Sequence, residues 1–453
     1  MINLDELVAT RDRPALHVAL RAVHPADIAD FVDGLGHEDR QFVFSLLTDP
    51  IAAEVIDEAE LDTTRSLAES TSSQRFARVV QHLEADDAAE LMTDLDPETS
   101  GEILEALSEQ AAAAVEEALN YPEGTAGRLM TTSFVALRAG ITVGVALEDI
   151  RRQVPRAPST YYLYVVDAQG VLVGVLSLRG LVGATPDATV GSICAPDPVK
   201  VLVTDDQELV AQTVAKYDLL AVPVVDEQGR LVGMVTVDDV VDVMREEATE
   251  DIHKMGASSA LGAPYLRVGI LAMLRKRAGW LAVLFVGEML TTAAMGYYEA
   301  EIARAVVLAL FVPLIISSGG NSGSQAATLV IRAMTLAEIG PSDWWRIVWR
   351  ELASGLGLGL ILGFLGIVRI LGWQAMFQTY GDHYAVVAAT VAASLLGVVT
   401  WGTLMGSMMP LLLRRLGFDP ASASAPFVAT LVDVFGVAIY FTIARAFLTG
   451  TLL

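Results

Sequence analysis

Asp433 is a carboxylate where lipid-soluble residues should be. It closes the string Ala425-Pro426-Phe427-Val428-Ala429-Thr430-Leu431-Val432-Asp433, inside an apolar stretch near 426–449. A charge in hydrocarbon is expensive and by default functional, and an unpaired one is hard to sustain. Helical spacing puts Pro426, Thr430 and Asp433 on one face, and a proline at the helix start frees backbone carbonyls that a hard cation can use. Arg445 lies three turns away and no other basic group stands in that core, so the spacing favours a cation pathway over a buried ion pair. Glu288, in the stretch near 277–298, is a second such carboxylate, for which a helix-facing hydrogen bond is an equal explanation. A third feature is Ser317-Ser318-Gly319-Gly320-Asn321-Ser322-Gly323-Ser324-Gln325, within the stretch near 302–331. It reads as non-helical backbone at membrane depth, where Asn321 and its neighbours could hold water around a strongly hydrated ion. A simple kink between half-helices is the alternative.

Further acidic groups stand just before these stretches. Glu247, Glu250 and Asp251 share a helix face by three- and four-residue spacing, and like charges so placed call for water or a counter-cation.

The elements that must position these groups divide the chain in two. Of 453 residues, positions 1–262 carry 46 of the 55 acidic and 18 of the 30 basic side chains, a net −28, while the remainder carries net +3. This excludes nucleic acid as a default partner and points to an acidic region fused to a membrane region. Five stretches approach the roughly 20 residues needed to span a bilayer, near 277–298, 302–331, 347–372, 384–413 and 426–449. Arg275, Lys276, Arg277, Arg332, Arg346, Arg350, Arg414 and Arg415 flank one side and Arg304, Arg369 and Arg445 the other, so the N-terminus is expected in the cytoplasm and the C-terminus outside. The single cysteine, Cys194, excludes a disulfide framework. The start, Met1-Ile2-Asn3-Leu4-Asp5-Glu6, lacks the basic and apolar parts of a signal peptide.

Residues 14–120 read as short amphipathic helices with Asp or Pro start signals, a helical repeat of low regularity. Residues 129–245 hold a duplication, in which Tyr164-Val165-Val166-Asp167-Ala168-Gln169-Gly170 through Leu178 recurs as Pro223-Val224-Val225-Asp226-Glu227-Gln228-Gly229 through Val237. Each copy is strand, tight turn, strand and helix, and the pair resembles tandem CBS domains, which often bind adenine nucleotides. In such domains a Ser or Thr followed three residues on by Asp holds ribose and phosphate. The second copy has Thr236 and Asp239, whereas the first has Ser177 but Gly180. Tyr162 and Arg179 complete the candidate nucleotide set, and ATP is the expected ligand.

Taken together the pieces resemble the MgtE family of magnesium channels. Its most specific strings here are Glu247-Ala248-Thr249-Glu250-Asp251-Ile252-His253-Lys254, Gly319 through Leu329, and Pro426 through Asp433. The resemblance implies a multidomain membrane protein. Its parts are an all-α acidic N-domain (1–128), two α/β CBS domains (129–188 and 189–245), a connecting helix (246–272) and a five-helix transmembrane pore domain (273–453). It implies a homodimer in membrane lipid that passes Mg2+ inward down its gradient. Asp433 is then the pore carboxylate for hydrated Mg2+, with Ala429, Thr430, Pro426 and Asn321 around it. Regulatory Mg2+ carries over to Glu54, Asp86 and Glu90, to Asp206, Glu208, Asp218 and Asp239, and to Glu247, Glu250 and Asp251, and its binding is expected to close the pore. Ala425 departs from the family, which often has Asn before the pore proline. The runner-up is an exchanger of Mg2+, Co2+ or Mn2+ against Na+ or H+. No enzyme is expected, since the six histidines (17, 24, 37, 82, 253, 383) lie outside the apolar stretches and no Walker-type loop is present.

Overall fold

The computed structural model describes residues 4–153, 162–261, 265, 268–336 and 338–450, so parts of the connecting segment 246–272 lie outside the described residues. The described chain forms two compact units, Met1–Glu246 and Glu247–Leu453.

The first unit begins with ten short helices, from Leu4–Ala9 to Glu109–Leu119. Low regularity is the wrong description of them. From the second helix onward, N-caps fall at Asp12, His24, Gly36, Thr48, Glu60, Ser72, Glu84, Asp96 and Ser108, a strict twelve-residue period. Apolar side chains seven residues past successive caps, such as Val43, Val55, Leu67, Val79, Leu91, Ile103 and Val115, are all buried in one core. The period hid because the cap chemistry varies, and only Asp12, His24, Asp96 and Ser108 make side-chain cap bonds. Polar ties between residues 29 apart stitch neighbouring hairpins, as in His37 to Ser66 (2.9 Å) and Arg65 to the Asp94 carbonyl (2.8 Å).

The duplicated half builds two small sheets. β1 (Ala136–Arg138), β2 (Tyr162–Val166), β3 (Leu172–Ser177) and β4 (Ala195–Pro196) lie in that order, as do β5 (Val201–Leu202), β6 (Ala221–Val225) and β7 (Leu231–Thr236). The two antiparallel hairpins are superimposable in register, Tyr162 opposite Ser177 in one and Ala221 opposite Thr236 in the other, each with an irregularity before its last pair. The turn is set by Asp167 and Asp226, whose Oδ1 atoms accept two backbone N–H bonds each at 2.8–2.9 Å. Gly170 and Gly229 follow at φ +85° and +77°, where a side chain would be strained. The turns dock reciprocally, Leu172 N–H on the Gly229 carbonyl and Leu231 N–H on the Gly170 carbonyl.

Among the described residues of the second unit five helices are long and apolar enough to cross a membrane: Ile270–Tyr297, Val306–Thr335, Pro341–Phe377, Tyr384–Arg415 and Ala425–Leu448, called here the first to fifth spans. The first helix starts before its basic cluster Arg275-Lys276-Arg277, because charges mark the membrane edge without ending the helix. The Gly-rich run is also not a break. Helix continues from Val312 through Thr335, and the second span is instead interrupted around Leu310 and Phe311, before Pro313. The glycines serve packing. Gly319 and Gly323 face Gly402 and Gly406 of the fourth span so closely that a Cβ at 402 or 406 would overlap the opposing carbonyls. This is the small-residue contact that brings helix backbones together in lipid. Ser322 and Thr403 add a 2.7 Å hydrogen bond beside it. Gly355, Gly359 and Gly363 of the third span lie likewise against Thr400, Leu396 and Ala392.

Candidate functional site

Asp433 stands in the first half of the fifth span, and a cavity of about 480 Å3 opens beside it. Asn321, Ser317 and Ser324 of the second span and Ala429 of the fifth share its wall. The fifth span is fixed at its start by Ser424, whose Oγ accepts from Phe427 N–H, and by Ser324, whose hydroxyl donates to the Ala425 carbonyl at 3.2 Å. Among the described residues Asp433 forms no ion pair with Lys or Arg, and the carboxyl of Glu288 in the first span lies within electrostatic reach of it. Six water molecules occupy roughly 180 Å3 at liquid density, so the cavity has room for a divalent ion that keeps its hydration shell. Such a shell suits Mg2+, which dehydrates reluctantly.

Asp433, Ala429 and Asn321 therefore come together around this cavity, whereas Pro426 and Thr430 do not line it. Thr430 turns its hydroxyl back to the Pro426 carbonyl at 3.0 Å and presents its methyl to Gly287.

A second site lies in the first unit. Asp86 and Asp87 occupy the first turn of the helix Ala85–Asp94, and Asp239 the first turn of the helix Val237–Met255. Their carboxylate oxygens lie within 4.8 Å of one another. Burial, then repulsion from Asp239 and Glu84, pushes the Asp86 carboxyl up to about 8. Burial and the neighbours Asp57 and Asp86 push Asp87 up to about 9. Asp239 is pushed up to about 6 by burial, against hydrogen bonds from Thr236 that favour its charge. Asp57 is likewise raised to about 6, by burial and then the repulsion of Glu58 and Asp239. Asp86 is 7 % exposed, and its Oδ1 has no hydrogen-bond partner. Orphaned buried oxygen and stacked like charges are the donor set that a hard divalent cation satisfies.

Of the sensor residues expected from sequence, Asp86 and Asp239 belong to this cluster. Asp87 was missed, although its adjacency to Asp86 in a first helical turn was visible. Asp57, one turn after Glu54, is the residue of that helix whose charge reaches the cluster. Glu90, one turn past Asp86, is raised to about 7 by burial and by Glu246. Asp206 and Asp218 cap opposite ends of the helix Gln207–Tyr217, roughly 17 Å apart along its axis, so one ion cannot join them. Asp206 accepts from Glu208 N–H and Glu208 from Gln212.

In the second unit, Lys254 Nζ lies 2.5 Å from Glu250 and 2.6 Å from Asp419, a residue after the fourth span that sequence reading did not single out. Burial opposes the charge of Lys254, but its bonds to Asp419 and Glu250 outweigh this and raise its pKa. Thr335 donates to Asp251 at 3.2 Å, and burial, then Asp419, raises the Asp251 carboxyl. Glu247 lies one turn earlier on the same helix.

At the candidate nucleotide positions the two copies differ. Asp239 accepts from both the hydroxyl and the N–H of Thr236, whereas Ser177 accepts from Gly180 N–H at 3.0 Å. Tyr162 is half-buried in β2 and Arg179 is exposed.

The sequence matches the family described as Divalent cation transporter over residues 312–443, the MgtE intracellular N domain over 23–124, and the CBS domain over 126–187 and 190–246. The Magnesium transporter MgtE of Thermus thermophilus is 39% identical, with 99% of this chain and 98% of that protein covered. The Bacillus subtilis protein of the same name is 31% identical over 94% and 92% of the two chains. A solved structure, the cytosolic domain of the Mg2+ channel MgtE in complex with ATP, is 40% identical with TM-score 0.52, covering 53% of this chain and 98% of its own. An acidic helical-repeat domain, tandem CBS domains and five candidate spans, one of which carries a carboxylate, thus agree with full-length sequence relatives: the chain belongs to the MgtE family.

Proposed function

We propose that the chain is a magnesium channel that carries Mg2+ into the cytoplasm down its electrochemical gradient. The observation that carries this reading is Asp433 beside a cavity large enough for a hydrated ion, without a basic partner among the described residues. The names of its relatives support the same ion. The membrane potential contributes about 2.3 kcal/mol per charge per 100 mV, so a divalent ion needs no coupled energy source. The protein works as a homodimer in a lipid bilayer, N-terminus inside and C-terminus outside, with Asp433 contributed by each copy. The family is one of transporters, not of enzymes.

Regulation follows from the acidic clusters. Asp86, Asp87 and Asp239 would hold regulatory Mg2+, which supplies the positive charge that relieves their repulsion. Glu250 and Asp251 couple the end of the connecting helix to the spans through Thr335, Lys254 and Asp419. Occupied clusters favour a compact, closed state, and the shift is bounded by the ion's differential affinity for the two states. The relative seen with ATP supports a nucleotide at the CBS pair here, with Thr236 and Asp239 the better-formed half.

Proteoliposomes loaded with a magnesium indicator test the reading. Entry driven by a membrane potential alone supports a channel. Entry that waits for Na+ or H+ on the opposite side replaces it with the exchanger.

A further inference from the structure

Glu288 is a second acidic group within a span, and the pore residues named above leave it out. It lies in the first span, a helix with no buried residue in the single chain, yet the register of that helix against the fifth span is tightly set. Trp280 packs edge-on against Phe427 with ring centroids 6.4 Å apart. Gly287 sits against Thr430 so closely that a Cβ there would overlap the Thr430 methyl. That register places the next residue, Glu288, close enough to Asp433 for the two carboxyls to interact electrostatically. Nearly one turn further, Thr291 lines the same cavity as Asp433, and its Oγ1 is buried with no hydrogen-bond partner. The first span thus brings Thr291 to the cavity wall and Glu288 beside Asp433. The Thr291 hydroxyl is suited to water of an ion's hydration shell, since no protein group takes it.

Resting on the channel reading above, we propose that Glu288 is a second carboxylate of the ion site and sets its preference for divalent over monovalent cations, with Thr291 holding the ion's water. Asp433 from each copy places two negative charges at the site, and Glu288 from each copy doubles them. A monovalent ion satisfies only one of two adjacent carboxylates and leaves the other uncompensated. The pair therefore favours divalents by charge count, with the shell intact and no direct contact required. Gly287 is the positioning element, because any side chain there pushes the first span away and separates Glu288 from Asp433.

The full chain in vesicles, with a magnesium indicator inside and a potassium diffusion potential, tests this with Mg2+ and Na+ as probes. Glu288→Gln keeps shape and removes charge. It should raise the half-saturating Mg2+ about tenfold, the order expected for one charge acting on a divalent ion across ~5 Å of water-like dielectric, and it should admit more Na+ relative to Mg2+. Glu288→Asp, which keeps the charge, should stay close to wild type in that ratio and serves as the control for folding. A conducting wild type with a Glu288→Gln variant unchanged in both half-saturation and ion ratio overturns the role of Glu288 and leaves the channel intact. Equal loss of preference in the Asp variant also overturns it, because shape rather than charge would then matter. A wild type that passes no Mg2+ under potential alone refutes the channel reading on which the proposal rests.

Discussion

Replacing Asp87 with Asn gives a sharp reading of the acidic cluster. Three carboxylates with oxygens within 4.8 Å form three repulsive pairs. At an effective dielectric of about 20 each is worth about 3.5 kcal/mol. The protein escapes this by holding protons, since Asp86 and Asp87 stay protonated until about 8 and 9. A cation takes the ionised form, so at pH 7 its binding must expel protons, roughly one to two per ion. Calorimetric titration of the full chain with Mg2+, in buffers of different ionisation heat, counts them. Asp87→Asn should release about one proton fewer and bind Mg2+ more weakly, and apparent affinity in the wild type should climb from pH 6 to pH 8. Identical proton counts in wild type and variant would refute the assignment of the cluster as a metal site.

Other outcomes follow from the same geometry. Because the folded Asp86 and Asp87 carboxyls lie above their ordinary value of 3.8, the stability they contribute is complete below about pH 4 and is lost as pH rises through about 8 and 9. The metal-free chain should therefore melt at lower temperature at pH 9 than at pH 6, and Mg2+ should restore it, most at high pH. Glu250→Ala with Asp251→Ala should keep Mg2+ entry going at internal Mg2+ that shuts the wild type, read with the indicator. Gly402→Val should push apart the second and fourth spans, and overpacking of about 1–3 kcal/mol or more should appear as loss of monodisperse protein in detergent. Gly229→Ala places a side chain at φ +77°, at a cost of about 1–2 kcal/mol, seen as a lower melting temperature with Mg2+ entry retained.

The sequence was most informative where chemistry contradicts its surroundings. Asp433 was legible because nothing apolar explains it, and the CBS duplication because Asp167 and Asp226 repeat the same turn with the same glycine. The Gly-rich run misled because glycine has two uses. In water it breaks helices, but in lipid Gly319 and Gly323 let a continuous helix meet Gly402 and Gly406, and only the opposing glycines decide between them. The helical repeat was seen without its period, since its caps share a position but not a residue type. Asp419 and the approach of Glu288 to Asp433 depend on which helices meet, and spacing along the chain does not encode that.

The most direct test of Asp433 as the pore carboxylate is Mg2+ entry into indicator-loaded proteoliposomes under a membrane potential, comparing wild type with Asp433→Ala. Entry is expected in the wild type and is lost in the variant, with the same amount of folded protein in both membranes. Equal entry in the two would contradict that role, because the ion would then cross without the carboxylate placed in its path.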